Sequence, residues 1–306
     1  MDELLELWNR PKATEVYMLA GWRQWADAGA VSSALPQYLI DQLGATQIGR
    51  IKSTPFYIYQ LPGMHGFLRP EIKLEDGYVT KLQLHHNDVY YWESGQQGLV
   101  IFLGDEPNLD IDHYGQVLFN LAKELNVRRV VALGGVYAAV PFDKDRSISC
   151  TYSLPKMKEE LNDYAVRFSH YEGGASIPSY LAHQAEQMQV EYIAFYAMVP
   201  MYDFSSIAPN LQAITVEQDW KAWYDVMARI NHMFRLGISL SDLERQSEEL
   251  VTTVRGKLKE LEERIPQAKI DEYLDKVTQG FTEMPFMPLD DVWEKGLGDL
   301  LQGMGE

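Results

Sequence analysis

Cysteine and basic residues are scarce in this sequence of 306 residues. Cys150 is the only cysteine, which excludes an intrachain disulfide and a CxxC metal site and leads us to expect a cytoplasmic protein. Lysine and arginine number 27 against 44 aspartates and glutamates, so the formal net charge is −17. An acidic chain is repelled by nucleic-acid phosphates and by an anionic membrane surface, so we expect neither as a partner.

Long apolar runs and the features of a signal peptide are also missing. No stretch approaches the roughly 20 apolar residues of a membrane span. The residues from Met1 to Glu6 include acids where a signal peptide carries basic residues. Since 46% of the residues are hydrophobic, the chain can bury a large core, and its length suits one large domain with an extension, or two domains.

Apolar runs that end near glycine predict the buried strands of a parallel sheet. We predict such strands at 16–20, 99–103, 129–133 and 192–199, alternating with helices at about 30–43, 112–125 and 178–189. Pro36 lies inside the first helix and predicts a kink or a late start. The alternation indicates an α/β fold of three layers, α/β/α, with a mostly parallel sheet.

Two regions depart from this pattern. Between residues 55 and 95, apolar and polar residues alternate around the turn dipeptide Asp76-Gly77, which predicts an antiparallel hairpin region at the edge of the sheet. From about residue 217 the apolar positions recur at helical spacing, and Ser241-Asp242-Leu243-Glu244 matches a capping box. We therefore expect an α/β sheet domain at 1–215 and a C-terminal helical extension at 216–306 that packs on this domain or on a partner chain.

Three loops are expected to meet at the carboxyl edge of the sheet, where ligands bind in open α/β folds. They supply five candidates for a ligand crevice, namely Asp27, Asp105, Glu106, Gly134 and Gly135. Each candidate also has a structural explanation, because acids cap helix starts and glycines make tight turns. The glycine pair has the spacing of neither a dinucleotide-binding loop nor a P-loop.

Other reactive residue types reveal no catalytic pattern. The seven histidines are scattered, with no HExxH pair, so we expect no metal site and no cofactor. No GxSxG elbow is present. Ser176, which follows Gly173-Gly174-Ala175, is better explained as a helix N-cap than as a nucleophile. Cys150 lies in an alternating apolar segment and is expected to be a buried, inert thiol.

Four segments occur in a recognisable order. They are the loop ending in Trp25-Ala26-Asp27-Ala28-Gly29, then Gly104-Asp105-Glu106-Pro107, then Leu133-Gly134-Gly135-Val136, and finally Ala197-Met198-Val199-Pro200-Met201-Tyr202. In this order and spacing, the chain resembles the proteasome assembly chaperone 2 family over most of residues 14–280. The trailing helices resemble those of the family's bacterial branch.

The resemblance implies a phosphorylase/hydrolase-like three-layer fold and self-association, with trimers expected among bacterial relatives. In eukaryotic and archaeal relatives it implies chaperoning of 20S proteasome assembly, often through a C-terminal hydrophobic-Tyr-x tail that docks between proteasome subunits. This sequence ends in Met304-Gly305-Glu306, without the docking tyrosine. That departure weighs against direct binding to a proteasome.

Two functions remain open at this point. The resemblance and the missing catalytic patterns favour a non-catalytic, self-associating assembly or interaction protein. The alternative is an enzyme, either hydrolase or phosphorylase-like or an ATP-dependent ligase, that acts on a small molecule in the crevice. The alternative requires an open crevice with convergent polar groups. It fails if the acids cap helices and Trp22 or Tyr137 fills the space.

Overall fold

The computed structural model describes residues 3–59, 70–205 and 213–286. The strands in this part of the chain are β1 (Leu5–Leu7), β2 (Glu15–Arg23), β3 (Thr46–Ile51), β4 (Glu71–Glu75), β5 (Tyr78–Gln83), β6 (Asn87–Ser94), β7 (Gln97–Asp105), β8 (Val127–Ala138), β9 (Ile148–Tyr152), β10 (Arg167–Phe168), β11 (Tyr192–Tyr202) and β12 (Ile214–Thr215). The helices are α1 (Ala34–Leu43), α2 (Ile111–Glu124), α3 (Lys158–Leu161), α4 (Ile177–Gln187), α5 (Trp220–Phe234), α6 (Ser241–Arg264) and α7 (Ile270–Gln279).

One large mixed sheet has the strand order β1-β3-β6-β7-β2-β8-β11-β9-β10, with β12 paired to β11. Its centre is parallel, since β7, β2, β8 and β11 all run in one direction. Antiparallel strands flank this centre, β6 beside β7 and β9 beside β11. The predicted mostly parallel α/β sheet is confirmed, and the carboxyl ends of the central strands meet at one edge.

Helices cover both faces of the sheet, which makes the three predicted layers. Successive residues of a buried strand point to opposite faces. Leu19 of β2 therefore packs on the face covered by α1 and α5, where it joins Leu35 and Trp223. Its neighbour Met18 packs on the other face, among buried residues of α2 and α4 that include Leu181.

The C-terminal helix α5 packs on the sheet through a buried anchor. The indole nitrogen of Trp223 donates to the carbonyl oxygen of Gly29 at 2.9 Å. Beside it, the guanidinium of Arg146 and the carboxylate of Asp219 form an ion pair at 2.8 Å, and both side chains are almost completely buried. Asp219 also accepts the backbone N–H of Ala222 and so caps α5. The division of the chain at residue 216 stays a prediction.

Helices α6 and α7 form a smaller core against the end of β11. Leu258 of α6 and Ile270 of α7 are buried with Tyr202 and Phe204. Near its start, α6 also reaches the main core through Leu243. The helical extension therefore contacts the sheet domain at both ends of α6.

The structure confirms one local prediction and contradicts two others. Helix α1 begins at Ala34, after a short 3-10 turn at Ala28–Ala30, so the late start expected from Pro36 is confirmed. The capping box at Ser241 is wrong, because Ser241 is already inside α6 and its hydroxyl lies 3.0 Å from that of Ser239. The loop predicted after residue 133 is also wrong, since β8 continues without a break to Ala138.

The predicted hairpin forms from β4 and β5, which pair antiparallel. Its turn residues Asp76 and Gly77 have φ values of 49° and 82°, as a two-residue hairpin loop requires. In the described part of the chain, these two strands make a sheet of their own. Strand β6 belongs to the main sheet, in its antiparallel half between β3 and β7.

Candidate functional site at the carboxyl edge of the sheet

Asp27 holds the turn that leads from β2 into α1. Its Oδ1 accepts the backbone N–H groups of Ser32 at 2.7 Å and Ser33 at 3.1 Å, and its Oδ2 accepts the Ser33 hydroxyl at 2.5 Å. Burial raises the pKa of Asp27, although these hydrogen bonds favour the charged form. The carboxylate therefore stabilises the turn between β2 and α1, and it also lies beside the crevice.

Asp105, the last residue of β7, binds groups on both sides of that strand. Its Oδ1 accepts from Nε of Arg23 at 2.5 Å, and its Oδ2 accepts the backbone N–H of His86 at 3.0 Å. Burial alone would raise the pKa of Asp105, but the hydrogen bond and charge of Arg23, with the His86 N–H, lower it. The ionised carboxylate thus joins β2 to the segment before β6.

Glu106 connects the two loops that follow β7 and β2. Its Oε2 accepts the backbone N–H of Trp25 at 3.0 Å, and its own N–H donates to the carbonyl oxygen of Arg23 at 3.0 Å. The three predicted acids therefore have separate structural partners. They do not converge on one point as a metal or acid–base pair would require.

Gly134 and Gly135 lie inside β8, and close packing explains both. The N–H of Gly135 donates to the carbonyl oxygen of Ala26 at 2.9 Å, and a Cβ at residue 135 would overlap the carbonyl oxygen of Ala28. A Cβ at residue 134 would overlap the ring of Tyr196. The glycines let the Asp27 loop and an aromatic ring approach the strand, so the tight loop expected there is replaced by close approach.

A cavity of about 590 Å³ opens at this edge of the sheet. Among the five predicted crevice residues in the described chain, Asp27 and Gly135 border it, whereas Asp105, Glu106 and Gly134 do not. Its other walls come from β9, from the start of α4 and from β11. Neither Trp22 nor Tyr137 fills the space: Trp22 is buried, its indole nitrogen bonded to Tyr114, and Tyr137 lies at the rim, partly exposed.

Hydroxyl groups, which the sequence reasoning missed as site residues, supply most of the polar lining. They belong to Ser149, Thr151, Ser169, Ser176, Ser179 and Tyr196, with Tyr137 and Tyr171 at the rim. Ser149 and Thr151 alternate with the buried Ile148 and Cys150 along β9, which was a readable signal of one polar face. The pairing of β9 with β11 decides that this polar face borders the cavity. The sequence of β9 alone does not reveal this pairing.

Tyr196 is the centre of a hydroxyl cluster. Its hydroxyl lies 2.7 Å from that of Ser176 and 2.6 Å from that of Ser179, and the residue is only 8% exposed. Ser176 does occupy the N-cap position of α4, as predicted, but its side chain makes no capping bond. It binds Tyr196 instead. Burial raises the pKa of Tyr196, so this hydroxyl stays protonated and neutral.

The cavity has little charge. Of the residues that the structure describes, no lysine, arginine or histidine borders it, and Asp27 is its one acid. Within the same residues no group of three or more histidines, cysteines and acids is placed to hold a metal ion. The geometry suits binding of an uncharged molecule better than acid–base or metal chemistry.

No helix in the described ranges is both long and apolar enough to cross a membrane.

Comparison with solved structures shows the same fold in several proteins. A proteasome-assembly chaperone homologue from Mycobacterium tuberculosis is 22% identical, with a TM-score of 0.66 over 79% of this chain and 94% of that one. A PAC2 family protein from Streptomyces avermitilis is 20% identical, with a TM-score of 0.67 over 85% and 99%. An archaeal proteasome activator from Pyrococcus furiosus is 16% identical, with a TM-score of 0.57 over 82% and 97%.

No curated protein matches the sequence. The model of the PAC2 family, in contrast, matches residues 21–256. The match includes all three loops of the predicted crevice and extends through α5 into α6. These residues are well over half of the chain, and their motifs are the ones that the sequence shares with the proteasome assembly chaperone 2 proteins. The chain belongs to the PAC2 family.

Proposed function

We propose that this PAC2 family member is a non-catalytic protein that associates with copies of itself and acts as an assembly or interaction protein. The observation that carries the proposal is the apolar face of the β4–β5 hairpin. Ile72 and Leu74 lie on one strand, and register places Leu82 opposite Ile72 on the other. More than half of each of these three side chains is exposed.

An isolated hairpin with an uncovered apolar face is marginally stable in water. Contiguous exposed apolar residues of this kind are typical of an interaction surface. Because each of these side chains is only about half-exposed, its burial against a partner contributes roughly 1 kcal/mol. Association would therefore stabilise the hairpin and the complex together.

Charge favours a second copy of this chain at the hairpin rather than elsewhere. The whole chain carries a net charge of −17, so most of its surface repels another copy. The hairpin, residues 70–84, has two lysines against three acids and is nearly neutral. Neighbouring copies in a trimer can therefore contact one another through this surface with little electrostatic cost.

The names of the relatives support a role in protein assembly. The Mycobacterium tuberculosis protein is named as a proteasome-assembly chaperone homologue, and the Pyrococcus furiosus protein as a proteasome activator. We extend the assembly role, the trimeric state and the cytoplasmic location to this chain as parts of the proposal. The tail ending in Met304-Gly305-Glu306, which lacks the docking tyrosine, lies outside the described residues.

Light scattering coupled to size-exclusion chromatography tests self-association. We expect a mass of three times the 35.1 kDa chain for the natural protein, and the single-chain mass for the double variant Ile72→Lys/Leu82→Lys. Leu109→Lys is the matched control, since Leu109 is an exposed leucine outside the hairpin. A natural protein that is monomeric at every concentration contradicts the proposal, and so does a double variant that keeps the full mass.

The enzyme alternative stays a prediction. Of its five named residues, Asp27 and Gly135 border the cavity, and the carboxylate of Asp27 is already bonded to Ser32 and Ser33. Among the described residues, no histidine or lysine borders the cavity beside these hydroxyls. A hydroxyl needs such a base to become a nucleophile. The cavity therefore supports binding more directly than catalysis.

A further inference from the structure

We propose that the cavity at the carboxyl edge of the sheet binds a neutral small molecule with a ring face and several hydroxyl groups. This chemistry is shared by nucleosides and by sugars. The inference goes beyond the proposed assembly function, because it rests on the cavity alone and not on the hairpin. A volume of about 590 Å³ falls in the range of roughly 300 to 1,000 Å³ that holds small-molecule ligands.

The charge of the lining selects against anions. No cationic side chain borders the cavity within the described residues, and Asp27 would repel a phosphate or a carboxylate. The start of α4 points a helix N-terminus toward this region, an arrangement that often attracts anions. At this helix end the hydroxyls of Ser176 and Ser179 lie 2.7 Å and 2.6 Å from that of Tyr196. The first turn of α4 therefore already has neutral partners within the protein.

The hydroxyls of the lining match a ligand that both donates and accepts hydrogen bonds. Ser149 and Thr151 stand on β9, and Ser176, Ser179 and Tyr196 stand around the start of α4. Each hydroxyl supplies one donor and two acceptor sites, so the Tyr196 cluster retains acceptor capacity after its internal bonds. Ligand hydroxyls are the neutral groups with the same dual character.

Aromatic rings at the cavity rim provide surfaces for a ring to stack on. Trp25 is 71% exposed, Tyr171 is 65% exposed, and Tyr137 is also exposed. All three border the same cavity. Single exposed aromatic residues are ordinary, but three around one opening form a shared apolar surface. Offset stacking of a flat or apolar ring face on such side chains is favourable.

Isothermal titration calorimetry on the full chain tests the proposal with two panels of neutral probes. One panel holds adenosine, guanosine, cytidine and uridine, and the other holds the methyl glycosides of glucose, galactose, mannose and N-acetylglucosamine. We expect binding from at least one panel with a Kd below about 1 mM. Binding from the first panel identifies a nucleoside site, and binding from the second identifies a sugar site.

The anionic partner of the best neutral probe supplies the charge test. We expect the 5′-monophosphate of a nucleoside, or the 6-phosphate of a sugar, to bind about ten-fold more weakly than the neutral probe. No binding from either panel overturns the proposal. A phosphorylated probe that binds more tightly than its neutral partner overturns it as well.

Variants on β11 locate the binding site. Tyr196→Phe removes the central hydroxyl but keeps the ring that packs on Gly134, and we expect binding about ten-fold weaker. Tyr192→Phe is the matched control, since Tyr192 is buried on the same strand, away from the cavity, with a hydroxyl that has no hydrogen-bond partner. Its binding should equal that of the natural protein.

A second variant, Thr151→Val, keeps the proposal testable if Tyr196→Phe does not fold. Thr151→Val removes one lining hydroxyl from β9 with little change of shape, and we expect it also to weaken binding several-fold. Circular dichroism melting curves establish that each variant is folded. If both folded variants bind as tightly as Tyr192→Phe, the cavity is not the site and the proposal fails. The oligomer mass is unaffected by either result, so the assembly proposal is judged separately.

Discussion

The loops that follow β2 and β7 share a sequence pattern but lie in different environments. In each case an apolar strand leads past a glycine to an acid, Asp27 in the loop after β2 and Asp105 at the very end of β7. Asp27 borders the cavity because Gly135 of β8 lets its loop come close. Asp105 instead binds Arg23 of β2 and the backbone of His86, just before β6, and does not border the cavity. The neighbouring strand, not the acid's own strand, therefore decides what the acid does.

The two carboxylates differ in their ionisation for the same reason. Burial dominates at Asp27 and raises its pKa, since its partners are hydroxyl and amide groups without charge. At Asp105, burial is outweighed by the positive charge of Arg23 and the pKa is lowered. Asp27 thus lies beside a cavity without cationic side chains, whereas Asp105 holds two segments together through an ion pair and a hydrogen bond.

The largest effect is expected where the Asp27 loop meets β8. Gly135→Ala places a Cβ against the backbone of Ala28, which has no freedom to move without breaking the bond between Gly135 and Ala26. We expect a loss of about 3 kcal/mol or more in the free energy of unfolding. Urea unfolding followed by circular dichroism measures it.

Gly174→Ala is the control for this substitution. Gly174 also borders the cavity, but a Cβ there would meet no atom within 4 Å. We expect its free energy of unfolding to change by less than about 1 kcal/mol. Equal stability of the two variants would show that close approach to β8 does not position the Asp27 loop.

A medium effect is expected at the other loop. Arg23→Gln leaves the buried carboxylate of Asp105 without its cation. Because Arg23 is half-exposed, we expect a loss of roughly 1 to 2 kcal/mol, between the values for surface and buried pairs. Arg50→Gln, at an exposed pair with Glu6, should cost less than about 0.5 kcal/mol. Equal costs, measured by urea unfolding, would mean that Asp105 is not held by its charge.

The fold was predictable to the extent that single strands carry their own pattern. The continuous apolar runs of β2, β7, β8 and β11 mark buried parallel strands, and their helices follow from helical spacing. The glycines in β8 misled the prediction, because glycine usually interrupts a strand pattern. The residues after them, Val136-Tyr137-Ala138, resume the strand. Close contacts with Ala26 and Ala28 at Gly135, and with the ring of Tyr196 at Gly134, explain why glycines stand inside it.

The site was less predictable than the fold, for a physical reason. Asp27 and Gly135 were predicted to lie at this edge because parallel strand ends meet there, and both border the cavity. Ser149 and Thr151 were missed because β9 runs antiparallel to β11 and brings a strand's interior to that edge. Tyr196 was read as a core residue of an apolar strand, and its ring is indeed buried. Its hydroxyl borders the cavity beside Ser176 and Ser179 at the start of α4, which the pattern of β11 alone does not reveal.

A smaller effect, of opposite sign in the two loops, is expected from pH. Asp27 has a raised pKa, so its contribution to stability is present at low pH and is lost as pH rises above its ordinary value of 3.8. Asp105 has a lowered pKa, so its contribution is present above 3.8 and is lost as pH falls. We therefore expect opposite slopes when the natural protein is compared with Asp27→Asn and with Asp105→Asn.

Urea unfolding between about pH 2 and pH 6 measures these slopes, because the loss at Asp105 lies below pH 3.8. Subtracting each variant's free energy of unfolding from that of the natural protein leaves the pH dependence of the replaced carboxyl group, because all other groups titrate in both proteins. Slopes of the same sign would contradict the assigned environments. They would also remove the distinction between an acid perturbed by burial and an acid paired with a cation.

The smallest effect is expected at Cys150, which lies between two cavity-lining residues of β9 but points the other way. Its thiol is buried in the core on the α1 and α5 face, and burial raises the pKa of the thiol to about 12. A buried thiol with so little thiolate is inert, so we expect no labelling of the native protein by a maleimide and complete labelling in urea. In Gly135→Ala at partial unfolding, labelling should follow the loss of structure. Rapid labelling of the native chain would mean that β9 opens on its own, and the hydroxyl wall of the cavity would then be less fixed than the Asp27 loop opposite.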